Sequence, residues 1–76
     1  MPVRVRFYGP LKEEFGEEIE FSTEDLSKIL LKLGKEIYER FQEGDIMVAV
    51  NHKLVQGRVK LKDGDLVALL PRFSGG

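Results

Sequence analysis

Leu66-Val67-Ala68-Leu69-Leu70-Pro71-Arg72-Phe73-Ser74-Gly75-Gly76 is the stretch that decides how this chain folds. The apolar run Leu66 to Leu70 reads as a closing strand. Pro71 has no N–H to give to a ladder, so the sheet is expected to end there and a flexible tail, residues 72–76, to begin. Glycine lacks a Cβ, so Gly75-Gly76 can take backbone angles other residues resist and can thread a slot too narrow for a side chain. Gly76, read with a free carboxylate, is therefore the candidate reacting position. Taken alone, the dipeptide reads first as an ordinary frayed terminus with no task.

A closing strand needs partners, and the chain offers several. Val3, Val5 and Phe7 alternate with Arg4, Arg6 and Tyr8, the period of a half-buried strand. Gly9-Pro10 breaks it, and Leu11 with Phe15 at i,i+4 suggests a single helical turn stopped by Gly16. Glu18 and Glu20 alternate with Ile19 and Phe21, a second strand placed to pair antiparallel with the first. Further on, Ile46, Val48 and Val50 alternate with Met47 and Ala49 and end at Asn51-His52, a turn-forming pair. Leu54-Val55 and Val59-Lys60-Leu61 are expected to carry a short edge strand around Gly57, and Lys62-Asp63-Gly64-Asp65 reads as a turn.

Between these strands lies the helical segment. Ser22 or Thr23 is expected to supply the N-cap oxygen, with Glu24 and Asp25 in a first turn where carboxylates favour the positive end of the dipole. Leu26, Ile29, Leu30 and Leu33 fall at i, i+3, i+4 and i+7, one stripe that must lie on the sheet. Gly34 costs about 1 kcal/mol inside a helix relative to alanine, so the main helix is expected to stop there, with Glu36 to Phe41 forming a second, shorter turn.

Two strands, a helix and two or three more strands form an α+β pattern, a mixed sheet of four to five strands with one main helix on one face. A right-handed crossover brings the first and last strands side by side. Strand parity then turns Phe7 and Val67 toward the helix, along with Leu30 from the helix side. The same parity turns Tyr8, Met47, Ala49, Leu66, Ala68 and Leu70 to the opposite face. So many apolar side chains on an uncovered face point to a protein interface, unless the second helical turn or a loop folds over them.

Composition narrows the function classes. Seventy-six residues make a single domain, 1–76, in a size range where only about 60% of the unfolded surface is buried. The absence of cysteine removes disulfides, a thiolate nucleophile and Cys-based zinc, so any sulfur chemistry would use sulfur from outside. Twelve basic and 13 acidic residues give a net charge of −1, with no basic stripe for nucleic acid. The single His52 has no second ligand near it in sequence and reads as a turn residue, so no metal site is expected. No apolar run approaches the ~20 residues of a membrane span, Met1-Pro2-Val3-Arg4 does not open a signal peptide, and a cytoplasmic location is expected.

Tyr8-Gly9, Leu11, Glu13 and Gly16, then Val48-Ala49-Val50-Asn51, then Asp63-Gly64-Asp65 with Val67-Ala68, and finally Leu70-Pro71 before Ser74-Gly75-Gly76, stand in this order along the whole chain. In them the chain resembles the ubiquitin-like β-grasp proteins, and more narrowly the MoaD family, the small sulfur-carrier subunit of molybdopterin synthase. It departs from that pattern at Arg72, where a second proline is common, and at Leu66, where a carboxylate is common. Arg72-Phe73 is similar to the tails of ThiS, the thiamine sulfur carrier. These departures bear on the partner more than on the fold.

The resemblance implies a carrier without catalytic residues of its own and with no bound cofactor. An E1-like enzyme would use ATP to adenylate the Gly76 carboxylate, sulfur would replace AMP, and the thiocarboxylate would donate sulfur in molybdopterin biosynthesis, for molybdenum or tungsten. The large subunit of molybdopterin synthase would be the second partner. Phe73, Ser74 and Gly75, with the open-face residues, would make the partner contacts. The alternatives are a modifier conjugated to lysine through Gly76, a carrier for thiamine or tRNA thiolation, and an interaction module with an inert tail.

Overall fold

Val5 and Val67 lie side by side, both fully buried, and the sheet is built around them. The alternating first strand, β1 (Val3–Phe7), buries every second side chain and exposes Arg4 and Arg6. The computed structural model describes residues 2–22 and 25–72. In it the elements follow as α1 (Pro10–Phe15), β2 (Glu18–Phe21), α2 (Leu26–Leu33), α3 (Lys35–Glu43), β3 (Ile46–Val50), β4 (Lys53–Val55) and β5 (Leu66–Pro71). The sheet has five strands in the order β2-β1-β5-β3-β4. Among the described residues only the central β1–β5 pair is parallel, with Arg4 beside Leu66 and Phe7 beside Leu69. The β1–β2, β3–β5 and β3–β4 pairs are antiparallel.

The three helices of the described residues contribute to one core on one face of the sheet. Leu11 from α1, Leu26, Ile29 and Leu30 from α2, and Ile37 from α3 join Val3, Val5, Phe7, Ile46, Val48, Val67 and Leu69 in a single buried cluster. Phe15 closes its end by stacking on Phe7, with ring centroids 5.1 Å apart. The predicted stripe of α2 is thus the one that is buried, with Leu33 packed at its margin.

Four expectations change in detail. The cap of α2 is Asp25, whose carboxylate accepts from the Ser27 N–H at 3.0 Å and from the Ser27 hydroxyl at 2.7 Å. Ser22 lies too far back in sequence to reach these N–H groups, and Thr23 lies outside the described residues. The segment after Gly34 is a helix of nine residues against eight in α2, where a shorter turn was expected. Burial of Ile37 with Tyr38 and Phe41 packed beside it outweighs modest propensity, and Gly44 in the left-handed conformation ends the helix. β5 runs through Pro71, which pairs with Ile46; the ladder ends there, so the missing N–H costs little. The edge strand is β4 alone, and beyond it only an isolated bridge joins Lys60 to Asp25.

The β3–β4 connection follows the sequence closely. Asn51 and His52 both have positive φ, 50° and 71°, the backbone of a two-residue hairpin turn that matches strand twist.

Candidate functional site

With the helices gathered on one side, the other face of the sheet is left to its own side chains. Reading across the register, Arg4 adjoins Leu66, Arg6 adjoins Ala68, Ala68 adjoins Ala49, and Leu70 adjoins Met47. Met47, Leu66, Ala68 and Leu70 are half-buried, and Tyr8 is exposed. Ala49 is 8% exposed yet stands apart from the helix-side cluster, so its neighbours on the sheet, and no helix, cover it. The parity assignment therefore holds for all six residues. The second helical segment does not fold over them, because Ile37, Tyr38 and Phe41 face the core on the other side.

Leu54 belongs to the same surface and was missed in the sequence. It lies opposite Ala49 in the β3–β4 ladder and is 62% exposed, the most exposed large apolar residue among those described. The signal was present: a two-residue turn at Asn51-His52 sets Val50 opposite Lys53 and hence Ala49 opposite Leu54. The apolar stripe thus extends over β5, β3 and β4.

On the β1–β2 side the face becomes charged. Arg6 donates to Glu18 at 3.0 Å, and that carboxylate, with Tyr8 after it, raises the pKa of Arg6. Arg4 lies opposite Glu20 in the same ladder. An exposed pair of this kind contributes little to stability, since side-chain entropy and screening offset the attraction. It does give the face a polar border beside the apolar stripe.

β5 carries the stripe and leads straight to the tail. Pro71 is its last residue, and Arg72 follows with its guanidinium 3.6 Å from the Asp45 carboxylate. Phe73, Ser74, Gly75 and Gly76 lie outside the described residues. A groove of about 970 Å³, lined among others by Tyr38, Phe41, Arg58, Val59 and Lys60, opens on the helical side. None of its lining residues belongs to the open face. Among the described residues no cluster of three or more His, Cys, Asp or Glu is arranged to hold a metal, and no helix is long and apolar enough to cross a membrane.

Comparison with known families and structures bears on this arrangement. The model of the ThiS family matches residues 5–76, which covers the sheet, the helices and the tail. The chain belongs to the ThiS family. Its membership fits a ubiquitin-like sulfur-carrier fold, and the solved structures agree. A chain of the protein–protein complex of subunits 1 and 2 of molybdopterin-converting factor from Helicobacter pylori is 38% identical, with all of both chains covered and a TM-score of 0.68. The small archaeal modifier protein 1 from Methanosarcina acetivorans matches with a TM-score of 0.76 at 24% identity, covering 99% of this chain and 96% of its own. Urm1 from Sulfolobus solfataricus matches at 0.68 and 23% identity, covering 91% and 99%. The last two likenesses show the fold alone. No curated protein gives a significant match.

Proposed function

We propose that this ThiS-family chain is a sulfur carrier whose Gly76 carboxylate is adenylated by an E1-like enzyme and converted to a thiocarboxylate for molybdopterin synthesis. The observation that carries the reading is the continuity of β5: the strand holding Leu66, Ala68 and Leu70 on the uncovered face runs without interruption into the tail. A partner gripping that face is positioned to receive the last residues. Family membership supports the carrier role, and the 38% identical chain from Helicobacter pylori belongs to a complex of two subunits, which supports a large-subunit partner here.

The chemistry is consistent with the residue content. A carboxylate is a poor electrophile; reaction with ATP gives a mixed anhydride and releases pyrophosphate, and a sulfide-level nucleophile then displaces AMP to leave the thiocarboxylate. The carrier needs no cysteine for this and the sequence has none. Catalytic groups and ATP belong to the partners, and the cycle runs in the cytoplasm.

Mass spectrometry of the protein isolated from its own cells tests the reading. A mass gain of one oxygen-to-sulfur exchange, localised to Gly76, is the expected result. A covalent ladder on larger proteins would identify a modifier instead, and an unaltered mass in cells making the cofactor would overturn the carrier role. Loss of the thiocarboxylate-dependent product other than molybdopterin on deletion would redirect the assignment to thiamine or tRNA thiolation.

A further inference from the structure

Pro71 and Arg72, at the root of the tail, are each approached by a different turn. On one side, the β1–α1 turn reaches Pro71 through Gly9: a Cβ at Gly9 would lie 3.1 Å from the Pro71 Cγ. Gly9 sits at φ 61°, ψ −139°, a conformation open to glycine and strained for other residues, so the close approach and the backbone both require glycine there. The adjoining Tyr8 N–H donates to the Leu69 carbonyl at 3.2 Å, which fixes this turn against the end of β5. On the other side, the α3–β3 turn presents Asp45, whose carboxylate lies 3.6 Å from the Arg72 guanidinium. Asp45 is itself fixed, since its N–H donates to the Arg40 carbonyl at 2.8 Å as part of the α3 terminus.

Resting on the carrier reading, we infer that Gly9 and Asp45 are positioning residues that aim the tail by holding Pro71 and Arg72. Geometry says why aim matters. The four residues beyond Arg72 span at most about 14 Å fully extended, so the direction of the root governs where the carboxylate can arrive. Neither residue lies on the apolar face, so neither is expected to contribute to docking itself. Magnitude separates their shares: the Asp45–Arg72 pair is exposed and carries a small effect, whereas crowding Pro71 displaces the root by steric contact.

The test measures two quantities for each variant. The first is kcat/KM for adenylation of Gly76 by the activating enzyme of the same cells, read as pyrophosphate release; the second is the docking affinity to that enzyme by calorimetry. Asp45→Ala is expected to lower kcat/KM about two- to fivefold, the worth of an exposed ion pair, with docking affinity and urea midpoint unchanged. Raising the salt should narrow the gap between Asp45→Ala and the parent, and the exchanged pair Asp45→Arg with Arg72→Asp should restore most of the rate. Gly9→Ala should cost more than Asp45→Ala, up to the about hundredfold lost when a reacting group is misplaced; should that variant not fold, Asp45→Ala and the exchange carry the test. A parent that is adenylated while Asp45→Ala matches it overturns the inference alone. So does an exchanged pair that stays as slow as the single variants, because Arg72 would then be read directly by the enzyme. A parent that is not adenylated overturns the carrier reading and this inference with it.

Discussion

Asn51 and Asp65 hold each other across the junction where β3 meets β5: the Asn51 side-chain amide donates to Asp65 at 3.0 Å while its oxygen accepts the Leu66 N–H at 3.0 Å. The second Asp65 oxygen accepts the Lys62 N–H at 2.8 Å. One turn residue thereby ties the β3–β4 hairpin to the start of the central strand. Asn51→Ala removes both side-chain bonds and places alanine at a φ of 50°, so a loss of about 1–2 kcal/mol is expected in urea denaturation.

The same cluster gives a pH prediction. The Lys62 N–H, then the Asn51 amide, hold the Asp65 carboxyl below its ordinary value. A carboxylate whose folded pKa is depressed adds stability above its unfolded value of about 3.9, and that contribution is lost as the pH falls through the folded value. Asp65→Asn should therefore be less stable than the parent at neutral pH and lose less stability on acidification. Denaturant midpoints measured above and below the carboxylate range check it; equal acid sensitivity in the two proteins would show that Asp65 does not contribute. The Asp25 carboxyl, whose pKa is lowered first by the Ser27 hydroxyl, makes a contribution of the same sign that both proteins share.

Leu30 is fully buried between α2 and the sheet. Leu30→Ala should destabilise by roughly 2–5 kcal/mol, a large share of a small domain's stability. A urea midpoint close to that of the parent would mean the site collapses without a cavity.

Periodicity made most of this architecture readable, because strands with one buried face and a helix with one apolar stripe announce their orientation. Val3, Val5, Phe7 and Leu26, Ile29, Leu30 all bury as their spacing requires. The helix after Gly34 was under-read because Lys35-Glu36 and Glu39-Arg40 dilute its apolar content, and its stability comes from Ile37 and Phe41 meeting a core the sequence does not display. Leu54 was legible only through hairpin register, and the Asn51–Asp65 and Asp45–Arg72 pairs, each between residues distant in sequence, carry no local pattern at all. The open face was legible from parity, whereas its charged border at Arg6 and Glu18 depended on knowing which strands adjoin.

The tail yields a prediction separable from folding. Gly75→Val, or deletion of Gly76, should abolish adenylation, because only glycine clears a narrow active-site slot, while leaving the thermal midpoint almost unchanged, because changes at terminal residues are the best tolerated. Full adenylation of the chain lacking Gly76 would sink the carrier proposal.

The last prediction concerns Leu70, which lies opposite Met47 on the face away from the helices. It is half-buried by its sheet neighbours and takes no part in the helix-side core. Leu70→Asp therefore opens no cavity, and its folding cost should stay within the ~1 kcal/mol span of strand propensities. Docking is another matter, since a partner that covers Leu66, Ala68, Leu70 and Met47 would have to desolvate the new carboxylate without an ion to pair it. On the proposed docking surface Leu70 takes the place of a central apolar residue, where truncation or charge costs about 2 kcal/mol or more of binding. Leu70→Asp should thus weaken binding to both the large synthase subunit and the activating enzyme by at least about thirtyfold, which is the same quantity expressed as affinity. Leu54→Asp, at the β4 margin of the stripe, should cost less, and the ratio of the two losses maps how far the partner extends across the sheet. Calorimetric titration beside a denaturant melt decides the matter: unchanged affinity with a badly destabilised fold would place the function of Leu70 in folding and remove the open face from the docking surface.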